Sequence, residues 1–168
     1  MENDTPPPRQ PKPPIDMDLV RASAEERAIG FLGIGRFLFE FSQLEFTIRV
    51  ELANLLELND DAFDIVTSPY DFTALCNVTC KMRCLKSPKR KDEFEKLFNA
   101  CRELNNTRVI VAHGMWVDDM DGLSARHVSR QTLEAKFHSF KNDELERFAA
   151  EAQRLLKAVL GFQPPGNQ

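Results

Sequence analysis

The sequence lacks a basic excess and a long apolar run, and each absence excludes a class of function. Its 168 residues carry a formal net charge of -4, so no overall field attracts the chain to nucleic acid. No uninterrupted apolar run is long enough to cross a bilayer, and the N-terminus lacks a basic start followed by an apolar stretch. We therefore expect a soluble, cytoplasmic protein without a membrane partner.

Residues that commonly carry enzyme chemistry are also scarce. The chain has three histidines and seven glycines, with no glycine-rich phosphate loop and no paired metal ligands. Four cysteines without a secretion signal indicate free thiols in a reducing compartment. Cys76, Cys80 and Cys84 recur at four-residue spacing, which favours a buried helical stripe over a metal site. The sequence predicts no metal and no cofactor.

Proline is concentrated at the two ends of the chain, in "TPPPRQPKPPID" and "GFQPPGNQ". Proline has no backbone donor and resists helix formation, so these stretches are expected to be extended. We predict a disordered proline-rich tail over residues 1–19, one helical domain over 20–162 and a flexible tail over 163–168.

Between the tails, apolar residues recur at spacings of three and four, the period of helices with one buried face. The helical segments are 23–58, 70–87, 89–114 and 141–161, with a short restart at Asn59. Ser23 and Glu26 form a capping box at the first start, and Asn142 is the expected cap of the last helix. The glycines of the first segment weaken its early turns or let another helix approach closely.

The segment 115–128 changes period and contains the turn signal Asp121-Gly122, which predicts a β-hairpin. Trp116 is expected to pin this hairpin onto the helices, and His127 and His138 are expected at the surface, the latter in a loop. The predicted fold is therefore mainly all-α: an antiparallel four- to five-helix bundle with a small β-hairpin before the last helix.

The stretch "RELNNTRVIVAHGMW", residues 102–116, holds the candidate site. Five residues of helix turn through about 500°, so Arg108 and His113 point about 140° apart unless the last turn loosens beside Gly114. A histidine moves protons near neutral pH, and an arginine offers a planar fork for phosphate. Metal-free RNA cleavage needs these two functions. Since one chain supplies a single copy of each, a symmetric dimer is a natural way to complete the site.

A purely structural interpretation of the same residues stays open. Glu45 lies midway along the first helix, where it is placed to pair with Arg108 inside the bundle, while His113 caps the helix by bonding a carbonyl.

One local basic cluster stands out on this acidic chain, in "KMRCLKSPKRK". It contacts phosphates in one interpretation and is a solvated helix end in the other. Its members, the candidate RNA-binding residues, are Lys81, Arg83, Lys86, Lys89, Arg90 and Lys91.

The segment "NNTRVIVAHGMW", late in a bundle helix and before a hairpin, resembles the HEPN superfamily. The mark of that family is an arginine, four to six residues and a histidine, and here the interval is four. The resemblance implies a helical bundle that dimerises through the motif helices, without a metal. It further implies RNA cleavage by 2′-hydroxyl attack, with Arg108 and His113 as catalytic residues. Partners implied by the family are RNA and an antitoxin or nucleotidyltransferase-like protein, in toxin–antitoxin or phage-defence systems.

Val109 departs from the family, because active members usually have a polar residue after the arginine. Asn105 and Asn106, one turn before Arg108, are the candidates to supply that group to RNA. Two functions therefore stay open at the level of sequence. One is a HEPN-type endoribonuclease or RNA-binding effector, and the other is a catalytically inactive dimerisation or protein-interaction module.

Overall fold

The structure, a computed structural model, describes residues 17–119, 122–129 and 133–162. Its elements in chain order are α1 Met17–Leu56, α2 Asp60–Thr67, α3 Phe72–Lys86, a 3-10 turn Pro88–Arg90, α4 Lys91–His113, β1 Met115–Asp119, β2 Gly122–Val128, β3 Ala135–Phe140 and α5 Asn142–Leu160. The predicted mainly helical class is confirmed. Most of the predicted proline-rich tail, the tail 163–168 and the first half of the Asp-Gly turn lie outside the described residues.

Helix α1 is the element on which the other helices pack. One face of it is buried against α3, α4 and α5. Burying an aliphatic or aromatic side chain contributes about 1.5–3 kcal/mol, so this face is the main source of cohesion. Its members recur at the spacings of three and four that predicted a helix with one buried face, and they are Phe37, Phe41, Leu44, Ile48, Leu52 and Leu55.

Two helix starts differ from the prediction. Helix α1 already begins at Met17, so Ser23 lies inside the helix, and residues 17–19 belong to α1 rather than to the tail. Helix α5 has Lys141 at its N-cap, where the backbone N–H donates to the Glu144 carboxylate at 3.0 Å, and Asn142 is its first helical residue. A cap contributes only about 1 kcal/mol to helix stability. A good capping residue therefore does not set the start of a helix when the residues before it also favour the helical conformation.

The sheet has three strands, where the sequence predicted a hairpin of two. The predicted hairpin is β1 and β2, in which Trp116 pairs with Ala125. Strand β3 adds to the other edge of β2, with His138 opposite Ala125, so the prediction of a loop at His138 is wrong. Most side chains of β3 are exposed, and its sequence therefore carries little of the alternation by which a strand is recognised.

The early glycines of α1 allow close packing, as one sequence interpretation proposed. A Cβ at Gly33 would lie 3.1 Å from the Cβ of Leu145 on α5, and one at Gly30 would overlap the side chain of Leu123 on β2. The gain in packing compensates for the lower helix propensity of glycine at these two positions.

An ion pair lies beneath the contact of α1 with α3. The carboxylate of Glu51, only 1% exposed, contacts the guanidinium of Arg83. Burial raises the pKa of Glu51, and the charge of Arg83 opposes that shift. A buried carboxylate is costly unless it is paired, so Arg83 has a structural role here.

Replacing Arg83 with methionine is expected to lower the free energy of unfolding by about 3–5 kcal/mol at neutral pH, because Glu51 loses its cation. Without Arg83 the pKa of Glu51 rises further, so the stability lost should grow as the pH rises from about 4.5 towards neutrality. Urea unfolding across that pH range measures the effect, with Lys81→Met, at an exposed position of the same helix, as the control. Equal stability losses in the two variants would contradict the prediction.

Candidate functional site

Arg108 projects from the C-terminal part of α4 towards α1. Its side chain is half-buried, and its guanidinium carbon lies 5.6 Å from the centre of the Phe41 ring. An arginine over an aromatic face gains cation–π attraction of about 0.5–2 kcal/mol while its N–H groups remain able to donate. Phe41 thus serves as a platform that holds the guanidinium, a role that the sequence did not reveal.

The Glu45–Arg108 ion pair of the structural interpretation does not form. The Glu45 carboxylate instead accepts a hydrogen bond from Arg49, at 2.7 Å, one turn further along α1. Arg49 also donates to the carbonyls of Thr67 and Tyr70. Arg49 lies one helical turn after Glu45, so the two side chains meet without any contact between helices. This explains why Glu45 pairs with Arg49 and not with Arg108. Among the described residues, no carboxylate forms an ion pair with Arg108.

His113 is exposed and is the last residue of α4. The last turn of α4 does not loosen beside Gly114, because the N–H of Gly114 donates to the Ile110 carbonyl at 2.8 Å. The imidazole makes no hydrogen bond to the described part of the chain, so the proposed capping by His113 does not form either. In a regular helix the Arg108 and His113 side chains point about 140° apart. They do not form a compact pair within one chain.

Trp116 fixes the end of α4. Its indole N–H donates to the carbonyl of Val111 at 3.0 Å, which gives a partner to one of the free carbonyls at the helix end. The indole also packs on Phe140 of β3, with ring centres 5.5 Å apart. The predicted role of Trp116 in pinning the hairpin to the helices is confirmed, and it accounts for the regular turn that carries His113.

The two asparagines before Arg108 differ in their surroundings. Asn105 lies three residues before Arg108, which places it about 60° away on the same side of α4. Its Oδ1 is buried and accepts no hydrogen bond from the described residues. Asn106 is exposed and lies on another side of the helix, and Val109 is half-buried. Asn105 therefore shares a side of α4 with Arg108, and Asn106 does not.

The basic cluster does not form one free surface. Arg83 contacts Glu51, Lys91 lies 3.8 Å from Glu95, and Arg90 donates two hydrogen bonds of 2.8 Å to Glu93. Arg90 also lies 4.9 Å from the ring centre of Phe162.

The remaining members, Lys81, Lys86 and Lys89, are exposed. Lys86 and Lys89 lie at the junction of α3 and α4, whereas Lys81 lies within α3. Lys91 begins α4 about 25 Å along the helix axis from Arg108, so the lysines at the junction and the Arg108–His113 segment occupy separate regions of one chain.

The predicted buried stripe of cysteines is confirmed for Cys76 and Cys80, whereas Cys84 is half-buried against the core. All four cysteines are free thiols, and Cys101 is buried as well. The pKa of Cys76 is raised by a hydrogen bond with Cys101 and by burial, and burial beside Cys84 raises the pKa of Cys80 to about 11. Such thiols stay protonated and are poor metal ligands and nucleophiles. No cluster of metal-ligating side chains occurs in the described ranges. His127 and His138 lie on the neighbouring strands β2 and β3, and both are half-buried.

Glu51 is the structural residue that sequence reasoning missed. It lies three residues after Ile48 and four before Leu55, within the buried stripe of α1. That spacing was the available signal, because a carboxylate on the core face of a helix requires a cation.

No family model matches the chain, and neither the curated proteins nor the solved structures contain a significant match. In the described part of the chain, no helix is both long and apolar enough to span a membrane.

Replacing Arg108 with alanine is expected to lower the free energy of unfolding by about 0.5–2 kcal/mol, the range of the lost cation–π contact. The loss stays small because Glu45 keeps Arg49 as its partner. Urea unfolding measures the loss, and Arg108→Lys, which retains a cation over Phe41, is the matched control. A loss of about 3–5 kcal/mol would instead indicate a broken buried ion pair.

Proposed function

We propose that this protein is a HEPN-type RNA effector that cuts RNA without a metal, with Arg108 and His113 as its catalytic residues. The observation that carries the proposal is the state of Arg108. It is a half-buried arginine held on an aromatic ring and paired with no carboxylate among the described residues. An arginine neutralised by a core carboxylate would have little capacity left for phosphate, whereas this one keeps its charge and its donors.

His113 provides the second function. It is exposed at the end of a regular helix, where an RNA strand can reach it. In the proposed reaction the 2′-hydroxyl loses its proton and attacks the adjacent phosphorus. The bond to the 5′-oxygen breaks, and that oxygen takes up a proton. His113 transfers one of these protons and solvent water transfers the other, while Arg108 stabilises the charge on the phosphate oxygens. The products carry a cyclic phosphate and a 5′-hydroxyl.

The angle between the two side chains supports a composite site. Because Arg108 and His113 diverge by about 140° in one helix, a single copy does not present both to one phosphate. A homodimer through the α4 ends would place Arg108 of one copy beside His113 of the other. In this arrangement Asn105, whose Oδ1 has no donor in the described chain, is the polar neighbour that compensates for Val109. The exposed lysines guide RNA by charge, and two of them, Lys86 and Lys89, lie beside the end of α4 opposite to Arg108.

The test is a cleavage assay on mixed RNA in EDTA, with the product ends analysed for cyclic phosphate. Wild type should cut, and His113→Ala should lose about 10²–10⁴-fold in rate, the usual contribution of an acid–base group. His127→Ala, at a half-buried histidine of the sheet, is the matched control and should cut normally. If wild type leaves RNA intact, or if His113→Ala cuts as fast, the catalytic proposal fails.

Co-expression of Arg108→Ala with His113→Ala tests the composite site. Each variant alone should be inactive. Random pairing makes half of the dimers mixed, and each mixed dimer has one intact site of two, so about a quarter of wild-type activity should return. No recovery in purified mixed dimers would place both residues of each site on one chain.

A further inference from the structure

Helix α1 has a second ordered face, directly opposite the one buried in the core. Six exposed residues recur on it at alternating spacings of four and three, the repeat of a coiled-coil seam. We call this set the α1 seam, and its members are Ala28, Leu32, Gly35, Phe39, Ser42 and Phe46.

Large and small side chains alternate strictly along the α1 seam. The large ones are the most costly to leave in water, yet Leu32 is 72% exposed, Phe39 62% and Phe46 56%. Single exposed apolar residues are normal on a protein surface, but a continuous row about 27 Å long indicates a contact surface.

Gly35 supports the same conclusion independently. Glycine destabilises a helix relative to alanine, and Gly33 is explained by the close approach of Leu145 within the chain. A Cβ at Gly35 would meet no atom within 4 Å. Nothing in the described chain therefore requires a glycine at this position, whereas a helix from outside the chain would.

We propose that the α1 seam binds the same seam of a second copy of this chain, with the two helices antiparallel. When the twofold axis of the pair lies midway between Gly35 and Phe39, every large side chain of one copy lies opposite a small one of the other. Phe39 faces Gly35 of the second copy, and Leu32 faces Ser42. Phe46 faces Ala28 in the same register. Facing large and small residues fill an interface without voids or overlap.

The parallel arrangement fits less well. It would stack Leu32, Phe39 and Phe46 each on its own copy, and between these layers it would leave layers formed only by Gly35 or Ser42. Such layers alternate between crowding and cavities, and both are unfavourable in a packed interface. The order of side chains along the helix therefore selects the antiparallel pair.

Burying the seam leaves its polar groups satisfied. The hydroxyl of Ser42 already donates to the carbonyl of Phe39, at 2.7 Å, so dimerisation removes no hydrogen bond from it. Arg36, at the edge of the seam near the proposed twofold axis, contacts Glu146 of its own chain. That pairing offsets the repulsion between the two copies of Arg36.

The available area suits a dimer. A phenylalanine buries about 150–250 Å² in a core, and at the observed exposures each large apolar residue offers about 100 Å². Ile29 and Phe31, both exposed beside the seam, bring the apolar area to about 500 Å² per copy. Two copies together reach about 1,000 Å² before polar edges are counted, which is the lower bound for a specific interface.

This inference does not rest on the proposed RNA function. Arg108 packs over Phe41 on the core face of α1, and the seam lies on the opposite side of that helix. Seam variants should therefore change assembly and leave the thermal stability of the isolated chain near that of wild type.

Sedimentation of the full chain from about 1 µM to about 100 µM tests the proposal. Wild type should associate through the seam, as a dimer or, where the α4 ends also pair, as a larger assembly. Phe39→Glu should remove the seam step, raising its dissociation constant at least about tenfold and leaving any pairing of the α4 ends unchanged. The matched control is Leu85→Glu on α3, where the wild-type side chain is 75% exposed outside the seam, and it should dimerise as wild type does. A wild-type monomer throughout this range, or equal dissociation constants for the two variants, would overturn the proposal.

Cross-linking tests the register. The double variant Leu32→Cys/Ser42→Cys should form disulfide-linked dimers on mild oxidation, because these positions face each other in the antiparallel pair. Ser42→Cys alone should stay unlinked. Efficient linking through Ser42→Cys alone would indicate a parallel pair and would overturn the antiparallel proposal. A wild-type monomer that binds lipid vesicles or another protein through the seam would overturn the second copy as its occupant.

Discussion

The structure depends on the burial of one face of α1. Helices α3, α4 and α5 each contact this helix, and its phenylalanines are shared between their interfaces. Phe41 is almost fully buried, touches Phe72 at the start of α3 and lies beneath Arg108 of α4. A single core side chain thus sets both the packing of the helices and the position of the candidate arginine. Close packing transmits shifts between such neighbours, so changes in this core would also move the site.

Two arginines that contact the core, Arg83 and Arg108, differ in their partners. Arg83 is paired with the buried carboxylate of Glu51, and that pairing removes it from the cluster of exposed lysines. Arg108 is held by an aromatic ring and has no carboxylate partner in the described chain. A cation paired with an anion loses most of its attraction for phosphate, whereas one supported by a π-face keeps it. This difference in partner separates a structural arginine from a candidate functional one.

The two faces of α1 differ in whether the chain itself covers their apolar residues. The core face is covered by the chain's own helices, while the α1 seam exposes a regular row of apolar residues around an unoccupied glycine position. In the proposed RNA function the Arg108–His113 site would also need a second copy, because its two side chains diverge within one chain. Two separate symmetric interfaces, one at the seam and one at the α4 ends, would join copies into a closed tetramer or a longer assembly, depending on their axes.

The sequence by itself determined the helices and the core face of α1, because apolar periodicity depends only on the local geometry of the helix. It also determined the end of α4 at Gly114 and the anchoring role of Trp116. Strand β3 escaped prediction, since the segment is short, only Phe140 of its side chains is buried, and its pairing with β2 is a contact between distant residues.

Only the tertiary structure decided the partners of the charged residues that face another helix. Glu51 of α1 binds Arg83 of α3, which removes Arg83 from the basic cluster, and no carboxylate of the described chain forms an ion pair with Arg108. Spacing along a helix tells which side chains share a face. Which opposite charge lies across from them depends on how the helices pack, and that arrangement is set by the whole core.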